Sequence, residues 1–112
     1  MTKHTLRFRA VNKDIFLDIK NGRKTVETRA ATEKYRIIKA GDTLILVCGK
    51  EKLNKKIKKV KIFKTIKTLI RVYPLKKIMP DLSSVEEWQK ELYTYPHYKE
   101  KIKKFGLIAF EL

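Results

Sequence analysis

Lys24, Glu27 and Arg29, within Gly22-Arg23-Lys24-Thr25-Val26-Glu27-Thr28-Arg29, are the residues of this chain best equipped for chemistry. A lysine and an arginine flanking a carboxylate can hold a phosphate, while the carboxylate accepts hydrogen bonds from a base edge or a ribose hydroxyl. The same trio could react. A lysine whose pKa is lowered by burial and by Arg29 would act as nucleophile or base, with Glu27 shuttling the proton. Lys24 and Glu27 are therefore the candidate catalytic pair. Together with Arg29, and with Lys20, Arg23 and Tyr35 around them, they form the candidate ligand-binding set. The plainer alternative is that Glu27 and Arg29 only pair along a strand and fix it in place.

Other features say less about a site. Lysines crowd the stretch from Lys50 to Lys64 and could lie along an RNA backbone with a steep salt dependence. A solvated edge whose lysines discourage strand-to-strand aggregation explains them more simply. Tyr35, Tyr93, Tyr95 and Tyr98 could stack on unpaired bases, although most tyrosines and Trp88 suit core packing. Asp14 and Asp18 share a helix face and are expected to meet water. No Ser/His/Asp arrangement, phosphate-cradling glycine loop or major-groove recognition helix is present. Cys48 is the only cysteine, and His4 and His97 lie far apart, so neither a metal site nor a cofactor is expected.

The elements that must position the trio follow from periodicity. Thr5 to Val11 alternates apolar and basic residues, the pattern of a half-buried strand. Asn12 stands where a helix N-cap belongs, Ile15, Phe16 and Ile19 repeat at helical spacing, and Asn21-Gly22 stops the helix. Thr25 to Arg29 is a short strand whose period of two puts Glu27 and Arg29 on one face and Val26 and Thr28 on the other. Lys24, at the turn, is free to reach either. A helical turn around Glu33-Tyr35 is expected before Ala40-Gly41-Asp42 turns into a strand over Thr43 to Cys48. Gly49 to Lys56 suggests a hairpin loop, and Ile57 to Ile66 a strand with Val60 and Ile62 facing the core. Ile66, Leu69, Ile70 and Tyr73 recur as in a short helix. Pro74 and Pro80 bracket a link, and Ser83 or Ser84 caps a helix striped by Val85, Trp88, Leu92 and Tyr95. A turn or short helix from His97 to Lys104 and a strand from Gly106 to Leu112 close the chain.

Composition sets the setting. With 112 residues the chain is long enough for one core, and 43% of them are apolar, so a folded domain is expected. The formal net charge of +16, mostly lysine, attracts polyanions such as RNA, DNA or an anionic membrane surface. No apolar run approaches the roughly 20 residues of a membrane span, and no secretory h-region follows Met1. A cytoplasmic, soluble protein, most simply a monomer, with Cys48 as a reduced core thiol, is the expectation.

Three segments, in order, resemble the ASCH domain of the PUA-like superfamily. They are Ile19-x-x-Gly22-x-Lys24-x-x-Glu27-x-Arg29, then Ile38-Lys39-Ala40-Gly41-Asp42 ahead of an apolar strand, and the closing Phe105-Gly106-Leu107-Ile108-Ala109-Phe110-Glu111-Leu112. The likeness covers nearly the whole chain. It implies one α+β domain over residues 1–112, a small mixed β-barrel of five to six strands with short helices packed on it. It also implies an RNA or nucleotide-like ligand, bound in a cleft between barrel and helices. Some small bacterial members are amidohydrolases that remove the acyl group from N4-acetylcytidine, and nuclease activity occurs in the family, so a hydrolase is the alternative. In that amidohydrolase branch the catalytic groups are the lysine of Gly-x-Lys, a threonine three residues later and a downstream glutamate. This chain keeps Lys24 but carries Glu27 at the threonine position, and offers Glu86, Glu87 or Glu91 on a helix that reads as surface.

Overall fold

The two most apolar runs of the chain, β3 (Thr43–Cys48) and β6 (Leu107–Glu111), become the central strands of two sheets, because strands covered on both faces need no alternation. The computed structural model describes residues 1–112. β3 pairs in parallel with β1 (Lys3–Phe8) and antiparallel with β4 (Glu51–Lys56). β6 lies antiparallel between β2 (Val26–Ala30) and β5 (Lys59–Phe63). The strands are thus six, mixed in direction, and divided into two three-stranded sheets rather than closed into the one continuous ladder of the expected barrel.

The chain passes from one sheet to the other at Ile57, which is fully buried. Ile57 exchanges backbone hydrogen bonds with Gly41 and Asp42 at 2.9 Å, and the next N–H, of Lys58, donates to the Glu111 carbonyl at 2.7 Å. This corner corrects two expectations. The lysine-rich segment after Gly49 is not a loop but the edge strand β4, half-buried at Glu51, Leu53 and Lys55 and exposed at Lys52, Asn54 and Lys56. Beyond the corner the expected inward face rotates away. Val60 is half-buried, Ile62 is 42% exposed, and Phe63 enters the core instead.

Helices fill the outer faces. α1 (Lys13–Lys20) buries Ile15, Phe16 and Ile19. A 3-10 turn at Ala10–Asn12 precedes it, so β1 stops at Phe8 and the Asn12 side chain makes no capping bond. α2 (Glu33–Arg36) is the expected single turn. α3 (Ile66–Val72) is held at its start by a reciprocal Thr65–Thr68 capping box, and α4 (Leu75–Ile78) forms within the proline-bracketed link. Ser84 caps α5 (Val85–Leu92) by accepting the Glu87 N–H at 3.2 Å, and α6 (Tyr98–Phe105) leads into β6. One apolar cluster joins Trp88, Leu92, Leu69, Ile78 and Ile102 to the β2–β6–β5 sheet. A second gathers Phe16, Ile19, Leu44, Leu46 and Phe110. No helix is long and apolar enough to cross a membrane.

The Gly-Asp turn ahead of β3 is fixed by its aspartate. The Asp42 carboxylate accepts the Lys39 N–H at 3.0 Å, His4 Nε2 at 2.9 Å and the Thr2 N–H at 3.2 Å. Those bonds, the Lys39 amide foremost, hold its pKa down at about 2.

Gly106 joins α6 to β6 at φ +80, and a Cβ there would stand 2.3 Å from the Phe63 carbonyl oxygen. Gly22, at φ +79, has open space around it. In urea unfolding, Gly106→Ala is expected to lose more than about 3 kcal/mol, whereas Gly22→Ala loses about 1–2 kcal/mol, the left-handed backbone alone. Equal losses would contradict this placement of the α6–β6 junction.

Candidate functional site

Strand β2 and the turn before it carry a charged pair into the interior. Glu27, 4% exposed, and Lys24, 2% exposed, lie at the floor of a cavity of about 260 Å³ between the sheets and α5. Lys24 Nζ stands 3.4 Å from Glu27 Oε1, and Arg29 Nη2 stands 3.2 Å from Glu27 Oε2. The Thr28 N–H also donates to Glu27 Oε1, at 3.0 Å. The period of two therefore does bring Glu27 and Arg29 together: the residues pair along the strand, and they also line a cavity.

Lys24 is not free at its turn. Its ammonium donates to the Ile78 carbonyl and lies 3.9 Å from Met79 Sδ, so α4 and the residue after it form part of its cage. The turn itself is bolted to α1: the Arg23 and Lys24 N–H groups donate to the Asp18 carbonyl at 2.9 and 3.0 Å. Arg23 then bridges two acids, Asp18 Oδ1 at 2.8 Å and Asp81 Oδ1 at 2.7 Å. Asp18, expected in water, is instead buried beneath this bridge, and burial together with the neighbouring Asp81 carboxyl raises its pKa to about 6.

The electrostatics follow from burial. Burial lowers the pKa of Lys24 and Arg29 adds to that, while Glu27 opposes both. For Glu27, burial favours the neutral acid, but Lys24, Arg29 and the Thr28 amide outweigh it and hold the carboxyl below its ordinary range. Burial also works against the Arg29 charge, and Glu27 reverses it, keeping the guanidinium protonated. That guanidinium lies 5.2 Å from the Phe8 ring and 5.8 Å from the Tyr35 ring, with Nη1 3.5 Å from the Tyr35 hydroxyl. The arrangement is a fixed anion flanked by two fixed cations, with aromatic walls.

Of the sequence-derived set, the structure brings Lys24, Glu27, Arg29 and Tyr35 to the cavity, and not Lys20 or Arg23. Arg23 is spent on the Asp18–Asp81 bridge, and Lys20 lies on the surface 3.6 Å from Glu51. Tyr95 and Tyr98 line the cavity, whereas Tyr93 is exposed under Lys99. No residue of the Lys50–Lys64 run lines it. Sequence reasoning did not select Arg7 and Arg9 at the end of β1, and named Glu91 only as one of three glutamates on a helix read as surface; Glu91 lines the cavity, and Glu86 and Glu87 do not. Glu91 follows Trp88 by three and precedes Tyr95 by four, so its place beside the apolar stripe was the available signal. No group of three His, Cys, Asp or Glu is placed to hold a metal ion.

The family model described as ASCH domain matches residues 10–112. Among solved structures, the hypothetical protein PH0355 is 28% identical, with a TM-score of 0.83 over 98% of this chain and 96% of that one. Protein PF0455 from Pyrococcus furiosus is 27% identical, with a TM-score of 0.74 over 98% of this chain and 94% of that one. No curated protein matches the sequence.

Two cations against one buried anion make the single substitutions unequal. Lys24→Met leaves a one-to-one Glu27–Arg29 pair and is expected to cost about 3 kcal/mol, the lower end for breaking a buried pair. Glu27→Gln leaves two neighbouring cations without an anion and should cost more, about 5 kcal/mol. Urea denaturation of both variants checks the order, and a reversed order would contradict the charge arrangement.

Proposed function

The chain belongs to the ASCH domain family, a PUA-like fold associated with RNA binding, and we propose that it binds a nucleotide unit of RNA, or a nucleotide-like ligand, in the Lys24–Glu27–Arg29 cavity. The observation that carries this reading is the ion trio at the floor of an aromatic-walled cavity. Arg29 and the cations at the end of β1 suit a phosphate or ribose, and Tyr35, Tyr95 and Tyr98 suit a base. At about 260 Å³ the cavity is slightly smaller than the usual small-molecule site; those sites span roughly 300–1,000 Å³. One nucleoside fits that scale, and a duplex does not. The rest of the +16 charge would hold the flanking backbone without choosing its sequence.

A second reading, hydrolysis of a modified nucleoside or of RNA, is favoured by one observation. Burial and Arg29 push Lys24 towards the neutral amine, and a carboxylate stands 3.4 Å away to take or return a proton. Glu27 occupies the place of the amidohydrolase threonine, so in this reading Lys24 is the base or nucleophile and Glu27 the shuttle.

The test is the affinity of the wild type, Arg29→Met and Lys24→Met for a short single-stranded RNA at two salt concentrations, with thermal melts to establish folding. Removing one of 28 basic residues barely alters diffuse attraction. A loss above about tenfold, roughly 1.4 kcal/mol, is expected for both variants. Unchanged affinity in two folded variants, fading with salt as in the wild type, would contradict the proposal.

A further inference from the structure

Glu27 is largely engaged within the protein. Its oxygens already serve Lys24, Arg29 and the Thr28 amide. The cavity holds a second carboxylate, Glu91, and this one is unengaged: half-buried on α5, it makes no hydrogen bond and no ion pair within the protein. Burial, with Asp14 adding to it, raises the pKa of Glu91, and Lys24 offsets part of that rise. The Arg9 guanidinium lies 5.2 Å from the centroid of the Tyr95 ring, and Arg7 and Arg9 line the same cavity. The cavity is therefore bipolar, with cations entering from the end of β1 and an open acceptor entering from α5. In a chain with more than two basic residues for every acid, a carboxylate with no protein partner in a cavity wall is open to a ligand's donors.

We propose that Glu91 reads the base, its carboxylate accepting the adjacent N1–H and N2–H donors of a guanine, with the nucleotide's phosphate directed to Arg7 and Arg9. The inference rests on the nucleotide reading above and narrows it. An ionised carboxylate only accepts, and its two oxygens match two neighbouring donors. Guanine alone presents such a pair on its Watson–Crick edge. Adenine and cytosine each set an amino group beside an acceptor nitrogen. Uracil places its single N–H between two carbonyls that would face the carboxylate with like partial charge. Base reading of this kind needs the base unpaired and turned into a pocket, as the cavity's size requires.

Calorimetric titration of the wild type and Glu91→Gln with guanosine, inosine, cytidine, adenosine and uridine 5′-monophosphates tests the assignment. Inosine differs from guanosine only by lacking the N2 amino group. The wild type is expected to bind the guanosine nucleotide about tenfold more tightly than the inosine one, the worth of one hydrogen bond to a charged group. In Glu91→Gln that preference should vanish. Equal binding of all five nucleotides, unchanged in the variant, would overturn the role of Glu91 and leave the nucleotide reading standing, as would preference for another base. Failure of every nucleotide to bind would overturn both. The guanosine–inosine comparison on the wild type decides the matter even where the variant folds poorly.

Discussion

A carboxylate buried in a strand has to be answered by charge, and the placement of Glu27 imposes that requirement on everything around it. Removing an ion from water costs several kcal/mol even after the protein relaxes. Here the cost is offset by two cations and a backbone amide within 3.4 Å. Arg29 comes from the same strand two residues on, at the price of a second buried charge that Phe8 and Tyr35 must shelter. Lys24 comes from the preceding turn, and needs its own enclosure from the Ile78 carbonyl and Met79. The carbonyl comes from the last residue of α4, between two prolines, and Arg23, next to Lys24 in the chain, ties α1 to Asp81.

Much of this was legible in the residues. The period of two through Val26 to Ala30 placed Glu27 and Arg29 together, and the Gly-x-Lys and Gly-Asp turns located the strands that they begin. What stayed hidden depended on partners distant in sequence. Lys24 is caged by a carbonyl 54 residues away, and Asp18 is covered through an acid, Asp81, that no local pattern links to it. The edge strand β4 was masked by its own lysines, which keep an unpaired edge soluble while erasing the apolar alternation. Ile62 misled because the corner at Ile57 turns the following strand. Glu91 was read as surface because a carboxylate beside a helix stripe usually is; only the packing of α5 over β2 puts it at a cavity.

Charge acts here on two scales. The lysines of β4 and β5, exposed apart from the half-buried Lys55, lend the molecule a diffuse attraction for polyanions, strong at low salt and indifferent to sequence. The trio of β2 is fixed in a low-dielectric recess, where its geometry cannot relax towards a poorly matched ligand. In the proposed function, the surface gathers RNA and the cavity chooses what enters. The two contributions are separable because no residue of the lysine-rich hairpin lines the cavity.

Amide chemical-shift mapping during titration with a short single-stranded RNA, at a salt concentration high enough to suppress diffuse attraction, tests that separation most directly. The account predicts that the largest shifts fall on Lys24 to Arg29 and on Trp88 to Tyr95, with the Lys50–Lys64 hairpin little changed. Shifts concentrated on that hairpin, with the β2 and α5 amides unmoved, would contradict it.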